Sequence, residues 1–155
     1  MAARFASIGE CMVELAPQAD GLYRRGFAGD TLNTAWYLRA LLDRRRSLVK
    51  YVTGVGTDAL SDEMTDFIAN AGIDTSGVER IAGRTVGLYL ITLNGAERSF
   101  TYWRNESAAK LLASVGARLD ATLADVDVAY FSGITLAILS PEHRRTLFAS
   151  LAKVR

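Results

Sequence analysis

Along nearly the whole chain, apolar runs of strand length alternate with stretches of helical periodicity. This alternation constrains the fold more than any other feature. A helix between two strands acts as a crossover, which forces the strands parallel and lays helices on the faces of the sheet. Residues 5–15, FASIGECMVEL, read as a first strand, with Cys11, Val13 and Leu15 alternating in its second half. Gly29 and Asp30 open a helix on which Leu32, Ala35, Trp36, Leu38, Leu41 and Leu42 recur at helical spacing, through Asp43. Residues 48–55 give the next strand, closed by Gly54 and Gly56. Asp58 caps a helix bearing Leu60, Met64, Phe67, Ile68 and Ala71 on one face, and Gly72 ends it. Residues 108–113 read as helical and 127–132, DVAYFS, as a buried strand. Residues 141–154 read as a helix with Pro141 in its first turn.

Two segments stand apart from this layer. Residues 22–27 look like a short exposed strand, since Arg24 and Arg25 sit inside it. Residues 86–93 and 97–103 flank Asn94-Gly95, a strong hairpin signal. Together they are expected to form a small separate sheet. With no linker, repeat or low-complexity segment, residues 1–155 read as one piece of one domain. The last helix runs to the end of the sequence without a cap. The expectation is therefore the N-terminal part of a longer α/β fold, with an uncovered sheet edge.

Charge and cysteine narrow the function classes. Lys and Arg total 18 against 17 Asp and Glu, so no broad basic face for nucleic acid is expected. No apolar stretch approaches the ~18 residues that span a bilayer, and no signal peptide is read at the start. Cys11 is the single cysteine, which fits a packed core thiol in a reducing compartment. The expected location is the cytoplasm.

Two clusters carry candidate chemistry. The first is Gly29, Asp30, Thr31 and Asn33, in GDTLN. Gly29 permits close backbone approach, the helix N-terminus offers unpaired N–H groups, and Asn33 both donates and accepts, as sugar hydroxyls require. An ordinary Asp or Thr cap would read the same way. The second cluster is Tyr89, Tyr102 and Arg104. The tyrosines fall on opposite arms of the hairpin, and Arg104 is two residues beyond Tyr102, on the same face. A guanidinium beside a phenol suits a small carboxylate, while a cross-strand aromatic pair with a solvated Arg is the alternative. Gly54-x-Gly56 lacks the third glycine of a dinucleotide loop, and no GxxxxGK[ST] loop occurs. His143, the only histidine, reads as solvated; no metal site is expected. Glu10 and Glu14 read as structural carboxylates, and Arg44 to Arg46 as a solvated helix end.

GECMVEL at residues 9–15, RRGFAGDTLNTAWYLRAL at 24–41 and GVGTDALSDEMTDFIANAGIDTSGV at 54–78 resemble the start of the ribokinase-like (phosphofructokinase-B type) sugar kinases. Within them, GDTLNTA at 29–35 and YWRNESAAKLL at 102–112 are most similar to the 2-keto-3-deoxygluconate kinases. The resemblance implies a ribokinase-like α/β sandwich with a small β-lid, here built from about residues 22–28 and 86–104 and truncated to its N-terminal half. It implies transfer of the ATP γ-phosphoryl, with Mg2+, to a sugar hydroxyl. Gly29, Asp30, Thr31 and Asn33 would hold the hydroxyl end of the sugar, and Tyr89, Tyr102 and Arg104 the keto-acid end. The lid would also pair subunits into a homo-oligomer. The family's glycine-rich GAGD-type segment, with its anion hole and catalytic Asp, belongs to the C-terminal half, and no such second segment is read here. Catalytic residues are thus expected to lie outside this chain, which should be inactive alone. A fructokinase-like sugar kinase, or a non-catalytic sugar-acid-binding module, is the alternative.

Overall fold

The computed structural model describes residues 3–154. Eight strands form two four-stranded sheets. The first sheet contains β1 (Ala3–Ile8), β4 (Ser47–Val55), β5 (Val78–Arg80) and β8 (Val128–Phe131), in the order β5-β4-β1-β8 and parallel throughout. The second contains β2 (Met12–Pro17), β3 (Tyr23–Ala28), β6 (Gly87–Asn94) and β7 (Glu97–Trp103), in the order β3-β2-β6-β7. There β2 and β6 are parallel, and the two outer pairs antiparallel.

The parallel sheet is covered on both faces, as crossover helices require. Successive side chains of β4 point to opposite faces. Val49, Tyr51 and Val55 enter a core with Leu32 and Ala35 of α1 (Asp30–Leu41) and Met64 and Ile68 of α2 (Ala59–Asn70). Val52 points the other way, with Ala6 and Ile8 of β1. They pack on Leu119 and Leu123 of α3 (Gly116–Leu123) and Leu147 of α5 (Pro141–Leu151). Lys50 shares that second face. It is buried, and its ammonium donates to Asp125 and to the Thr122 carbonyl, each at 3.0 Å, which keeps the buried charge compensated. Asp58 caps α2 by accepting from the Ser61 N–H at 3.0 Å, and Ser140 caps α5 by accepting from that of His143 at 3.1 Å.

The α/β architecture matches the sequence reading, with three differences. Residues 5–15 are two strands in two sheets. Gly9 is where the chain leaves the first sheet: a Cβ there would lie 2.5 Å from Thr31 Oγ1 and 2.8 Å from Thr135 Oγ1. The backbone passes against the first turns of α1 and of α4 (Gly133–Ile138), so only glycine fits. The hairpin turn is Gly95-Ala96, one residue later than Asn94-Gly95, because Asn94 pairs with Glu97. Gly95 takes φ 62° at the first central position, the place of glycine in a type II′ turn. Finally, β8 is half exposed, at 50% for Val128 and 39% for Tyr130, since it pairs on one side only. Three short elements, β5, α3 and α4, escaped the periodicity reading, because spans of 3, 8 and 6 residues hold too few repeats of either period.

Thr31 and Thr135 are both fully enclosed, so neither can yield to a methyl group at Gly9. Gly9→Ala is expected to cost about 1–3 kcal/mol in denaturant unfolding. A variant as stable as the parent would show that the crossover has slack.

Candidate functional site

The C-terminal ends of β1, β4 and β8 lie on one edge of the parallel sheet, which is the edge where α/β proteins hold ligands. The second sheet is tethered to that edge by residues 9–11. Both candidate clusters are organised around this short crossover.

Gly29 precedes α1 in an extended conformation and lies directly on the crossover: a Cβ would sit 2.3 Å from the Glu10 carbonyl oxygen. Its glycine identity is thus explained by close approach. Asp30 Oδ1 accepts from the Thr31 N–H at 2.8 Å, meeting one of the free donors of the first turn. Thr31 is buried, and its hydroxyl lies 3.0 Å from the Tyr51 hydroxyl. Its carbonyl accepts from Ser7 Oγ at 2.7 Å. Thr31 therefore fixes the start of α1 and points into the core. Asp30 is half-buried and Asn33 exposed, so these two remain open to a ligand. Asn33 borders a hollow of about 270 Å³ with Phe27, Trp36 and Phe67, the last two stacked with centroids 5.1 Å apart.

On the lid, Tyr89 and Tyr102 are direct cross-strand partners with ring centroids 5.9 Å apart. The Tyr89 hydroxyl donates to Glu14. Burial, and then the Glu14 carboxylate, raise the Tyr89 phenol above its ordinary value, so it stays a donor at neutral pH. The Arg104 guanidinium stacks 5.6 Å from the centre of the Tyr102 ring and donates to Glu10. Arg104, read as a solvated cation in one alternative, is instead held from two sides.

Glu10 is the residue whose importance the sequence reading missed. Only 3% of it is exposed, and Arg104 is its ion-pair partner. Burial pushes its carboxyl above the usual carboxylate range; Ser107, Arg104 and the more distant Lys110 pull it down. Its second oxygen, Oε1, has no hydrogen-bond partner of good geometry, nor has the Ser107 hydroxyl beside it. Gly87 makes room for that oxygen, since a Cβ there would lie 2.7 Å from it. A carboxylate between Gly9 and Cys11 in an apolar run was the available signal, because buried acids need a cation. Nothing in the sequence named Arg104 as that cation, which lies 94 residues away.

Tyr102 and Arg104 open onto a cleft of about 480 Å³, completed by Lys110 and by Ile134, Ala137 and Ile138 of α4. The structure thus brings Tyr89, Tyr102 and Arg104 together. The turn at Gly29 and Asp30 meets them through the crossover, while Asn33 faces a separate hollow. His143 is half-buried and donates from Nδ1 to the Lys110 carbonyl at 3.1 Å, so it is less solvated than the sequence reading expected. A carboxylate could be held by the cations of this cleft, and hydroxyls by Asp30 and Glu14.

The family model for "pfkB family carbohydrate kinase" matches residues 2–155. The chain belongs to this family. The 2-dehydro-3-deoxygluconokinase of Escherichia coli K12 is 44% identical over 158 residues, covering 100% of this chain and 51% of that protein. The chain spans about half the length of the curated relatives it matches. Among solved structures, a pfkB family carbohydrate kinase from Listeria grayi superposes with a TM-score of 0.83 at 22% identity, over 97% of this chain and 48% of its own. A sugar kinase from Pyrococcus horikoshii, solved in complex with ATP, gives 0.78 at 20% identity over 97% and 49%. The ribokinase-like sandwich expected from the sequence is the fold of this pfkB chain.

Removing Arg104 leaves Glu10 as an uncompensated buried charge. Arg104→Ala is expected to lose about 3–5 kcal/mol at pH 7. Its loss has a definite pH sign. With the folded pKa of Glu10 raised, the native state binds more protons than the unfolded chain, so stability falls as pH rises through that value. Arg104→Ala raises it further, so its deficit should shrink between pH 7 and pH 5. Parallel unfolding curves of variant and parent across that window would count against a buried charged Glu10.

Proposed function

We propose that this chain is the sugar-acid-binding half of an ATP-dependent kinase acting on 2-keto-3-deoxygluconate. The observation that carries the reading is the cleft where Tyr102 and Arg104 meet at the root of the lid. It supplies a guanidinium oriented by a buried carboxylate, next to an aromatic hydroxyl. An acid sugar has a carboxylate for such a group, whereas fructose and ribose have none. The name carried by the relatives at 40% identity and above points to the same acid.

In this reading Arg104 and Tyr102 take the carboxylate end, with Tyr89 fixing the facing strand. Asp30 and Asn33 take hydroxyls at the other end, while Gly29 and Thr31 set the turn that presents them. The chemistry moves the γ-phosphoryl of ATP to a sugar hydroxyl, which gives up its proton to a base. The protein's task in such a transfer is positioning and electrostatic stabilisation. Positioning of the sugar acid is what these residues offer. In this reading the base, the anion hole and most of the site for ATP and Mg2+ belong to polypeptide outside these 155 residues. Among the described residues no cluster of three or more His, Cys, Asp or Glu side chains is arranged to hold a metal ion.

The exposed apolar surface of the lid belongs to the same proposal. Leu93 and Phe100, on the face of Tyr89 and Tyr102, and Trp103, on the opposite face, are about half exposed, and β7 offers a free edge. Pairing of two lids into a homo-oligomer would cover them. No described helix is long and apolar enough to cross a membrane, and a cytoplasmic location is part of the reading.

The test is phosphoryl transfer from ATP to 2-keto-3-deoxygluconate, with fructose as the rival acceptor, in a complete version of the enzyme. The acid should be strongly preferred. Arg104→Lys keeps a charge but loses the fork, and should raise KM for the acid by roughly tenfold, the worth of one charge-assisted hydrogen bond. Preference for fructose, or an unchanged KM, would refute the assignment. Saturable binding of the acid without ATP consumption by any longer form would instead support a non-catalytic binding module.

A further inference from the structure

Three cations surround the root of the lid, and their partners differ. Arg84 pairs with Glu106, and Arg104 pairs with Glu10. Lys110 lines the same cleft as Arg104, yet its ammonium donates only to the backbone carbonyl of Asn105, at 3.1 Å. Among the described residues no carboxylate lies within ion-pair distance of it. The charge of Arg104 is already met by a buried carboxylate, so an incoming anion finds there an oriented donor with little net charge. The cation left for it is Lys110.

We propose that Lys110 is a specificity-determining residue that selects acidic over neutral sugars. This rests on the substrate reading above and adds a division of labour to it. Arg104, stacked on Tyr102 and tied to Glu10, sets the direction from which the carboxylate is approached. Lys110 supplies the compensating charge from the 3-10 helix that lines the same cleft. Three placements fit this division. The first turns after Ser107 carry Lys110 on the 3-10 helix Ala108–Leu111, whose buried Ala108 and Ala109 anchor it. The His143 side chain holds the Lys110 carbonyl, which fixes the backbone, while the ammonium rests on the Asn105 carbonyl with its charge uncompensated. Lys110 also acts on Glu10 through space, so its charge reaches the ion pair at the bottom of the cleft.

The experiment is calorimetric titration of the complete enzyme with 2-keto-3-deoxygluconate and, separately, with fructose. Parent, Lys110→Met and Lys110→Arg are compared, with thermal melts alongside. Lys110→Met keeps the apolar stem and removes the charge. It should weaken binding of the acid by roughly tenfold or more while leaving fructose binding unchanged, and Lys110→Arg should restore most of the loss. Equal weakening toward both sugars, or no weakening, overturns the role of Lys110 and leaves the substrate reading intact. A parent protein that prefers fructose, or binds neither, overturns the substrate reading and this inference with it. Should Lys110→Met fail to fold, Lys110→Gln reads the same contrast.

Discussion

A largely buried ion pair, Glu10 with Arg104, ties the lid sheet to the parallel sheet. Glu10 sits on the three-residue crossover between the sheets, and Arg104 sits where the lid hairpin returns to the body. The pair is buried on the Glu10 side and satisfied on only one carboxylate oxygen. Such an arrangement is poor value as a stabilising device, because desolvation of the acid offsets much of the attraction. Its effect is geometric. A guanidinium held by a carboxylate below and an aromatic ring alongside has few orientations left, and it presents its remaining donors to the cleft.

The crossover explains several other features. Gly9 must lack a side chain because α1 and α4 both press on it, and Gly29 because its Cα lies over the Glu10 carbonyl. Gly87 must lack one because Glu10 occupies the space. Three glycines from distant parts of the chain thus converge on residues 9 and 10. The lid hairpin, the helix N-terminus and the parallel sheet are brought into one place by a backbone passage too tight for any other residue. The candidate site of this pfkB chain is therefore a product of packing before it is a product of polar chemistry.

Much of this was legible in the sequence. The strand-length run at 48–55, closed by Gly54 and Gly56, and the helical spacing from Leu32 to Leu42 named the sheet and its helices. The charged Arg24 and Arg25 and the turn glycine at 95 marked the lid. Tyr89 and Tyr102 fell on opposite arms of the hairpin, but their direct pairing depends on the turn at Gly95-Ala96, one residue later than the sequence suggested. The division of 5–15 into two strands did not follow, since Gly9 inside an apolar run is as consistent with a bulge as with an exit. The core orientation of Thr31 was hidden as well, because a threonine after a helix start looks like a cap whichever way it turns. Glu10 and Lys110 were missed for a shared reason. Their roles depend on which charges they meet, and charge partners are chosen by tertiary contact between segments about 100 residues or one lid apart.

The most direct test of this account is a double-mutant cycle on Glu10 and Arg104, using Glu10→Gln, Arg104→Met and the pair together in denaturant unfolding. If the ion pair couples crossover to lid, Arg104→Met alone is the most damaging change. The double variant should then recover part of the loss, with a coupling free energy of about 1–3 kcal/mol. Effects that add to within about 0.5 kcal/mol would contradict it, and would mean that this pair does not couple the lid to the crossover.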